Sequence, residues 1–325
     1  MTHTIKNTLI PEESIITLMQ NYDLSEMVSC KLLARGLNDT YLISTNKTNY
    51  IFRVYRLNWR NESDILFEIE ALSHMKEKNQ HISYPLKTKQ DTWLTRINVP
   101  EGERYGVLFT YSEGERPEIN KENCRLIGQS LGSIHNCTDS FKTEQKRSYE
   151  LDFYHLIDEP LKVISPVIES LFGKEKVDFL DNIADKIKQE LKSKNLEYGF
   201  CHGDYHNFNM HISGNNLEVF DFDCCGLGYR AYDVAVFWWN LKNNYPKVEA
   251  ECWSAFLEGY LSQRQLSKED IDSLPLFITV RRIWLVGTML SNEDVWGREW
   301  ITRDNLAHFL EDLKQDQEKL WKIKE

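Results

Sequence analysis

The segment from residue 201 to residue 223 has the sequence CHGDYHNFNMHISGNNLEVFDFD. It carries Asp204, Asn209 and Asp221 at a spacing that suits transfer of a phosphoryl group. Such a reaction needs a carboxylate that orients the attacking hydroxyl and oxygen ligands that bind Mg²⁺. Asp204 lies on a loop that the flexible Gly203 allows to turn tightly. The segment therefore predicts phosphoryl-transfer chemistry with Asp204 as the catalytic carboxylate.

The geometry of the segment supports a shared metal. Two short apolar strands flank Gly214 and Asn215, which suit a tight hairpin turn. With a connection of two or of three residues, Asn209 and Asp221 fall within one residue of opposite each other. Paired Cα atoms in an antiparallel ladder are about 4.5–5.5 Å apart. We therefore predict that Asn209 and Asp221 bind one Mg²⁺, whose ligands lie at about 2.0–2.1 Å.

Two other interpretations of the segment are weaker. Asn and Asp are common in turns, so each of the three residues alone would be unremarkable, but their joint spacing is harder to explain that way. His202, His206 and His211 have the spacing H-x3-H-x4-H, which raises the question of zinc. Gly203 argues against a helix that would bring these histidines to one face, so zinc is not predicted.

Composition limits the class of protein. The 325 residues carry a net charge of −11, which disfavours nucleic acid and anionic membranes as partners and fits a cationic substrate. We see no apolar run of the ~20 residues that span a membrane and no signal peptide at the N-terminus. The seven cysteines are an odd number and include the adjacent Cys224 and Cys225, unlike a secreted disulfide framework. These features predict a cytoplasmic protein.

The order of elements predicts an α+β fold with two lobes. A helix is expected from Pro11, strands at 28–34, 40–44, 50–55, 92–97 and 105–111, and a helix at 62–78. After Glu113-Gly114-Glu115, helices are expected near 127–134, 152–170, 175–193, 231–241, 248–261, 268–290 and 303–323. We therefore predict a small β-rich lobe at 1–111, which binds nucleotide, and a larger helical lobe at 112–325, which is catalytic and binds substrate. A cleft between lobes is a common ligand site.

From Val28 to Arg303 the chain resembles the aminoglycoside phosphotransferase superfamily, which has a protein-kinase-like fold. The motifs that carry the resemblance are HGDYHNFN, VFDFD with the later AYDVA, PEGERYGVLFTYSEG and IGQSLGSIH. HGDYHNFN is specific to the superfamily, whereas IGQSLGSIH alone is weak. The chain is most similar to the group that contains the stress-response kinase, hydroxylysine kinase and amicoumacin kinase.

The resemblance implies roles for further residues. Asp204 takes the role of catalytic base, and Asn209 and Asp221 those of metal ligands. Arg53 replaces the usual phosphate-binding lysine, with Glu68 as its partner on a helix; Arg can hold phosphate with two hydrogen bonds. Expected nucleotide contacts also include Gly36 and Asn38 in a phosphate-covering turn, Thr110, Tyr111 and Ser112 at a hinge, and Phe220 on the pocket floor.

The acceptor site is less well defined by the sequence. The resemblance makes Asp223 a candidate contact of a second metal or of the substrate. Tyr205 and His206 are further candidate substrate contacts, and His206 could alternatively reach a phosphate or brace the loop. Asp233 and His202 are expected to brace the catalytic loop. Tryptophans are frequent in the helical lobe, and aromatic faces attract organic cations, so Trp238, Trp239 and Trp284 are further candidates. Tryptophan at helical spacing is more often part of a core.

These observations predict a Mg²⁺-dependent O-phosphotransferase that uses ATP, with GTP as an alternative donor. Its acceptor is expected to be a small hydroxyl compound with an amine, such as the antibiotic amicoumacin or an aminoglycoside. Three alternatives stay open: a protein Ser/Thr kinase, a kinase of an amino alcohol such as hydroxylysine or homoserine, and a nucleotide-binding pseudokinase. No A-P-E segment follows DFD, which weighs against the protein kinase.

Overall fold

The computed structural model describes residues 5–321. It divides into two compact units. The first unit contains the chain up to Glu115, together with Phe141–Ser148 and His211–Asp223. The second contains Arg116–Ser140, Tyr149–Met210 and the chain from Cys224 onward. Two short segments beyond residue 111, 141–148 and 211–223, thus belong to the unit that holds the N-terminal sheet.

The first unit is built on a six-stranded antiparallel sheet. The strands are β1 (Met27–Arg35), β2 (Asn38–Thr45), β3 (Asn49–Tyr55), β4 (Pro85–Leu86), β5 (Thr95–Val99) and β6 (Gly102–Thr110). Their order is β1-β2-β3-β6-β4, and β5 pairs with β6. Residues that alternate along β2 and β3, such as Tyr41, Ile43, Phe52 and Val54, are fully buried. They form one core with helix α1 (Glu12–Met19).

Helix α2 (Glu62–Glu77) begins with a capping box, in which Asn61 and Asp64 satisfy each other's backbone N–H groups. The strands β8 (Met210–Ser213) and β9 (Asn216–Val219) pair with each other. Their connection has two residues, the shorter of the two predicted lengths. From His211 onward they join the first unit through backbone hydrogen bonds between Ile212 and Glu115 and between Val219 and Ser83.

The second unit is mainly helical. Its helices are α3 (Lys121–Cys137), α4 (Glu159–Phe172), α5 (Lys174–Lys192), α6 (Arg230–Asn244), α7 (Glu249–Gln263), α8 (Lys268–Ser291), α9 (Glu293–Trp296) and α10 (Arg303–Gln315). Two π-helical turns, Tyr154–Asp158 and Asp316–Leu320, precede α4 and follow α10. Strand β7 (Tyr198–Cys201) pairs antiparallel with β10 (Gly226–Tyr229) and leads into the loop that carries Asp204.

The IGQSLGSIH motif lies in α3 and is explained by packing. A Cβ on Gly128 would lie 2.0 Å from the carbonyl oxygen of Phe256, and one on Gly132 would lie 2.9 Å from that of Tyr260. From the other side, a Cβ on Gly259 would lie 2.1 Å from the carbonyl oxygen of Arg125. Helices α3 and α7 therefore approach so closely that only glycine fits at these positions.

The predicted fold class is confirmed: a sheet-rich N-terminal region precedes a helical C-terminal region. Every predicted helix and strand is present, with ends that differ by a few residues. Pro100 and Glu101 form the turn between β5 and β6. Strand β5 therefore continues beyond its predicted end at 97, and β6 begins before its predicted start at 105. The sequence missed β4, β7 and β10, which are two to four residues long and contain Pro or Gly. The predicted end of the last helix, residue 323, lies outside the described residues.

Helix α8 is long and apolar enough to cross a membrane by length and composition alone. However, 67% of its most apolar window is buried within the protein. It packs against α4 and α6 in the second unit. This is the pattern of a core helix.

The contact between α3 and α7 makes a first prediction. The substitution Gly128→Ala should destabilise the protein by about 1–3 kcal/mol, because the added methyl group overpacks a backbone contact. Urea denaturation would measure this change. Gln129→Ala, one residue further along α3, is the control and should change the free energy of unfolding by less than about 0.5 kcal/mol. Equal stability of both variants would contradict the packing argument.

Candidate active site

The loop that carries Asp204 starts with a sharp turn at the end of β7. Gly203 has φ of +83°, and a Cβ there would lie 2.2 Å from the carbonyl oxygen of Cys224. The backbone N–H groups of His202 and Gly203 both donate to the carboxylate of Asp233, at 2.5 and 2.7 Å. Asp233 is fully buried in the first turn of α6. The loop is therefore fixed at its start by a glycine conformation and a carboxylate clamp.

His135 on α3 also contacts the carboxylate of Asp233. Its Nε2 lies 3.2 Å from Asp233 Oδ2, and its Nδ1 lies 2.8 Å from the hydroxyl oxygen of Tyr260. Because a carboxylate only accepts, Nε2 carries the proton and the hydroxyl of Tyr260 donates to Nδ1. Burial lowers the pKa of His135 below its ordinary value, despite the opposing effect of Asp233. The imidazole is therefore neutral at neutral pH.

The carboxylate of Asp204 accepts hydrogen bonds from three side chains of the second unit. His206 Nε2 lies 3.2 Å from Oδ1, and Asn209 Nδ2 lies 3.1 Å from Oδ2. The third donor is Nη2 of Arg281 on α8, which forms an ion pair with Oδ1. Burial favours a higher pKa for the Asp204 carboxyl, but His206 and Arg281 outweigh it and hold the pKa well below the ordinary value. The group stays ionised and partly exposed, with 24% of its side chain accessible.

Asn209 ends a 3-10 turn, Asn207–Asn209, that His206 caps. Its amide nitrogen donates to the backbone oxygen of Asp204 as well as to the carboxylate, so its amide oxygen turns the other way. An amide oxygen is a suitable ligand for Mg²⁺. Asn207 is buried and anchors the turn to α6 through a hydrogen bond from Asn240, at 3.0 Å.

In the first unit, Arg53 and Glu68 are paired as predicted. Arg53 Nη1 lies 2.7 Å from Glu68 Oε1, and its Nη2 lies 3.0 Å from Asp221 Oδ1. Tyr55 donates to the other Glu68 oxygen at 2.9 Å. Burial raises the pKa of Glu68, and Arg53 opposes this effect. The role of this pair in phosphate binding stays a prediction.

Asp221 suits metal binding by its chemistry and exposure. Half of its side chain, 49%, is accessible, and its φ of +63° is unusual for a residue other than glycine. Its carboxylate supplies oxygen ligands, which Mg²⁺ prefers. Taken separately, Asn209 and Asp221 each offer the donor type that the prediction requires.

Asp223 is enclosed by donors. Trp59 Nε1 lies 2.6 Å and Asn38 Nδ2 3.1 Å from its Oδ2, and Arg60 Nε lies 3.2 Å from its Oδ1. Arg147 donates to its backbone oxygen, and only 4% of the residue is accessible. These contacts favour a structural role for Asp223 rather than the predicted substrate contact. Asn38, a predicted nucleotide contact, thus uses its amide nitrogen in a hydrogen bond to Asp223.

The predicted hinge residues lie near Phe220 within the first unit. The backbone N–H of Thr110 donates to Tyr84 O and its carbonyl accepts from Ser83 Oγ, so both groups already have partners. The carbonyl of Ser112 lies 2.6 Å from His211 Nδ1. The ring of His211 lies edge-on to Phe220, with centroids 4.9 Å apart, and to Tyr111, at 6.2 Å. Gly36 forms the turn between β1 and β2, where its N–H donates to the carbonyl of Asn38.

Two of the six predicted substrate contacts, Tyr205 and Trp238, have partners within the second unit. Tyr205 is fully buried and donates to the carbonyl of Ile127 at 2.9 Å. Trp238 stacks on Trp253 with ring centroids 4.5 Å apart and donates to Glu249. These contacts favour a core role for Tyr205 and a packing role for Trp238, which is half-buried.

Trp239 and Trp284 already face a cation of the chain itself. The guanidinium carbon of Arg281 lies 5.0 Å from the ring centroid of Trp239 and 4.7 Å from that of Trp284. The sequence left open whether Arg281 faces an anionic group or pairs with a surface acid, and the structure pairs it with Asp204. The available signal was an arginine pair inside the apolar run FITVRRIWLV, since a charge on the buried face of a helix needs a partner.

The fold and this site define a phosphotransferase of the protein-kinase-like class. The model of the phosphotransferase enzyme family matches residues 29–272, so the chain belongs to that family. It is a kinase that transfers phosphate to a hydroxyl group, and the resemblance noted from the sequence is confirmed.

One sequence relative and two solved structures show what the chain is similar to. The homoserine kinase of Rhizobium etli is 26% identical and aligns over 88% of this chain and 91% of its own. An amicoumacin kinase solved in complex with AMP-PNP, Ca²⁺ and Ami superposes with a TM-score of 0.77, at 19% identity, over 95% of this chain and 94% of its own. A microcompartment-associated aminopropanol kinase gives a TM-score of 0.79, at 20% identity, over 95% and 98% of the two chains.

The neutral, buried His135 predicts a dependence of stability on pH. Below about pH 6.5 the unfolded chain protonates this histidine while the folded protein does not, so stability falls as pH decreases. One such group contributes at most about 1.4 kcal/mol per pH unit. Urea denaturation from pH 7 to pH 5 should show a smaller slope for His135→Gln than for the parent protein. His308→Gln, at an exposed position on α10, is the control and should keep the parent slope. An unchanged slope in His135→Gln would contradict the assignment.

Proposed function

We propose that the protein is a Mg²⁺-dependent ATP phosphotransferase that acts on the hydroxyl of a small, amine-bearing molecule in the cytoplasm. The observation that carries the proposal is the Asp204 carboxylate, which is ionised, partly accessible and fixed by three donors. A group held in this way can orient an acceptor hydroxyl toward the γ-phosphate of the nucleotide. In a loose transition state, such positioning supplies much of the catalysis.

The low pKa of Asp204 bears on its chemical role. A carboxylate this acidic is a weak base, so it orients the hydroxyl and accepts its proton only as the phosphoryl group is transferred. Asn209 and Asp221 are the proposed ligands of Mg²⁺, as the hairpin spacing predicts. The metal, when bound, neutralises charge on the phosphate oxygens. Arg53, held by Glu68, is the proposed phosphate contact of the first unit.

The choice of acceptor rests on the relatives and on charge. Homoserine, aminopropanol and amicoumacin appear in the names of similar proteins, and we infer that the acceptor here is likewise a small alcohol with an amine. The net charge of −11 suits a cationic substrate. Similarity to the amicoumacin kinase favours an antibiotic as the second candidate within this class. GTP stays an alternative phosphate donor.

A panel of acceptors would test the proposal. We expect phosphate transfer from ATP, with Mg²⁺, to at least one of homoserine, aminopropanol, hydroxylysine, amicoumacin and spectinomycin. Asp204→Asn should lower kcat by about 10²- to 10⁴-fold, because it removes the charge that orients the hydroxyl. Asp178→Asn makes the same change at an exposed position on α5 and should leave kcat unaltered. Phosphate that appeared only on proteins of a cell extract would instead support a protein kinase.

A second experiment tests the metal ligand. Asp221→Asn should weaken nucleotide binding in the presence of Mg²⁺ by at least about 10-fold, whereas binding without metal should change little. Calorimetry with AMP-PNP at several Mg²⁺ concentrations would measure both affinities. Asp91→Asn is a matched control, since Asp91 also has positive φ, of 60°, and an exposed side chain. Equal Mg²⁺ dependence in Asp221→Asn and the parent would exclude Asp221 as a ligand.

A further inference from the structure

Arg281 is a cation buried in the middle of the apolar helix α8. The residue is 2% accessible, and its neighbours along the helix include Val280 and Ile283, both fully buried. Removing a guanidinium from water costs roughly several kcal/mol of free energy unless a partner compensates for the lost hydration. A buried arginine at this position therefore needs a specific interaction.

That interaction is with Asp204. Nη2 of Arg281 forms an ion pair with Asp204 Oδ1, while Nε and Nη1 have no hydrogen-bond partner among residues 5–321. The hydroxyl of Tyr232 interacts with the guanidinium without a hydrogen bond of normal geometry. Among residues 5–321, the carboxylate that forms an ion pair with Arg281 is that of Asp204. The Arg281 side chain thus forms its ion pair with one carboxylate.

The two tryptophans restrict the position of the guanidinium. Trp239 on α6 and Trp284 on α8 each present a ring within 5.0 Å of its central carbon. Cation–π contacts depend on the position of the cation over the ring face. The other two donors to Asp204, His206 and Asn209, lie on the same loop as Asp204, whereas Arg281 reaches its carboxylate from a helix. Arg281 supplies this link to α8.

We propose that Arg281 is a positioning residue for Asp204, held between Trp239 and Trp284 so that the carboxylate faces the acceptor hydroxyl. This inference rests on the proposed function, in which Asp204 orients that hydroxyl. It also defines the acceptor site: the faces of Trp239 and Trp284 are filled by the chain's own cation, so the amine of the acceptor binds elsewhere. A substrate cation does not take the place of Arg281.

Steady-state kinetics of Arg281 variants would test the proposal, with the acceptor that the panel identifies. Arg281→Ala should lower kcat by about 10²-fold, because a misplaced catalytic group costs that much. The KM for ATP should change by less than about 3-fold, because binding common to ground and transition states is kept. Arg281→Lys, which keeps the charge and the fold but not the planar fork, should give an intermediate kcat. Full activity of both variants would overturn the proposal.

Chemical rescue separates positioning from a general structural defect. Millimolar guanidinium should raise kcat of Arg281→Ala at least about 10-fold by filling the space between the tryptophans, and should not rescue Asp204→Asn. A low kcat in Arg281→Ala without rescue, together with parental kcat in Arg281→Lys, would contradict the proposal.

The matched control is Arg282→Lys. Arg282 is the next residue of α8, but its Nη1 pairs with Asp312 and its Nε with Asp316, both at 2.9 Å, away from the Asp204 loop. This variant should keep the parent kcat. If Asp204→Asn retained full turnover, the proposed function would fail. If Asp204→Asn were inactive while Arg281→Ala and Arg281→Lys were fully active, only the role of Arg281 would fail.

Discussion

The carboxylate of Asp233 is the constraint on which the catalytic loop depends. It accepts from two successive backbone N–H groups, those of His202 and Gly203, at the point where β7 ends. Such groups would otherwise be buried without partners, at a cost of about 1–3 kcal/mol each. His135 holds the same carboxylate from α3. Because Asp233 lies in the first turn of α6, its side chain links the end of β7, the start of the catalytic loop, α6 and α3. These links do not involve the Asp204 side chain.

Local patterns in the sequence predicted the main helices and strands and the polar residues of the loop. Hydrophobic periodicity predicted the long helices and the strands of the first sheet, and Gly214 predicted the tight hairpin turn. The pairing of Arg53 with Glu68 was instead implied by the family resemblance. Local patterns did not identify the donors around Asp223, because Trp59, Arg60 and Arg147 come from two separate segments of the chain. Partners that only tertiary folding brings together leave no periodic signal.

Buried charge is the common feature of both units, and in each it is balanced locally. In the first unit, Arg104 is fully buried and pairs with Asp39 at 2.7 Å, while Arg53 pairs with Glu68. In the second unit, Arg281 pairs with Asp204. Buried ion pairs contribute little net stability, but removal of one partner is strongly destabilising. We therefore infer that these pairs contribute more to local geometry than to net stability.

The aromatic residues of the second unit show why composition alone misleads about substrate. Tryptophans and a negative net charge together suggest a cage for an organic cation. In the structure, Trp238 stacks on Trp253. The rings of Trp239 and Trp284 both face the guanidinium of Arg281. A cage that already contains a guanidinium repels a second cation at the same place. If Asp204 orients the acceptor hydroxyl as proposed, the charge of an amine-bearing acceptor would be bound by groups other than Trp239 and Trp284.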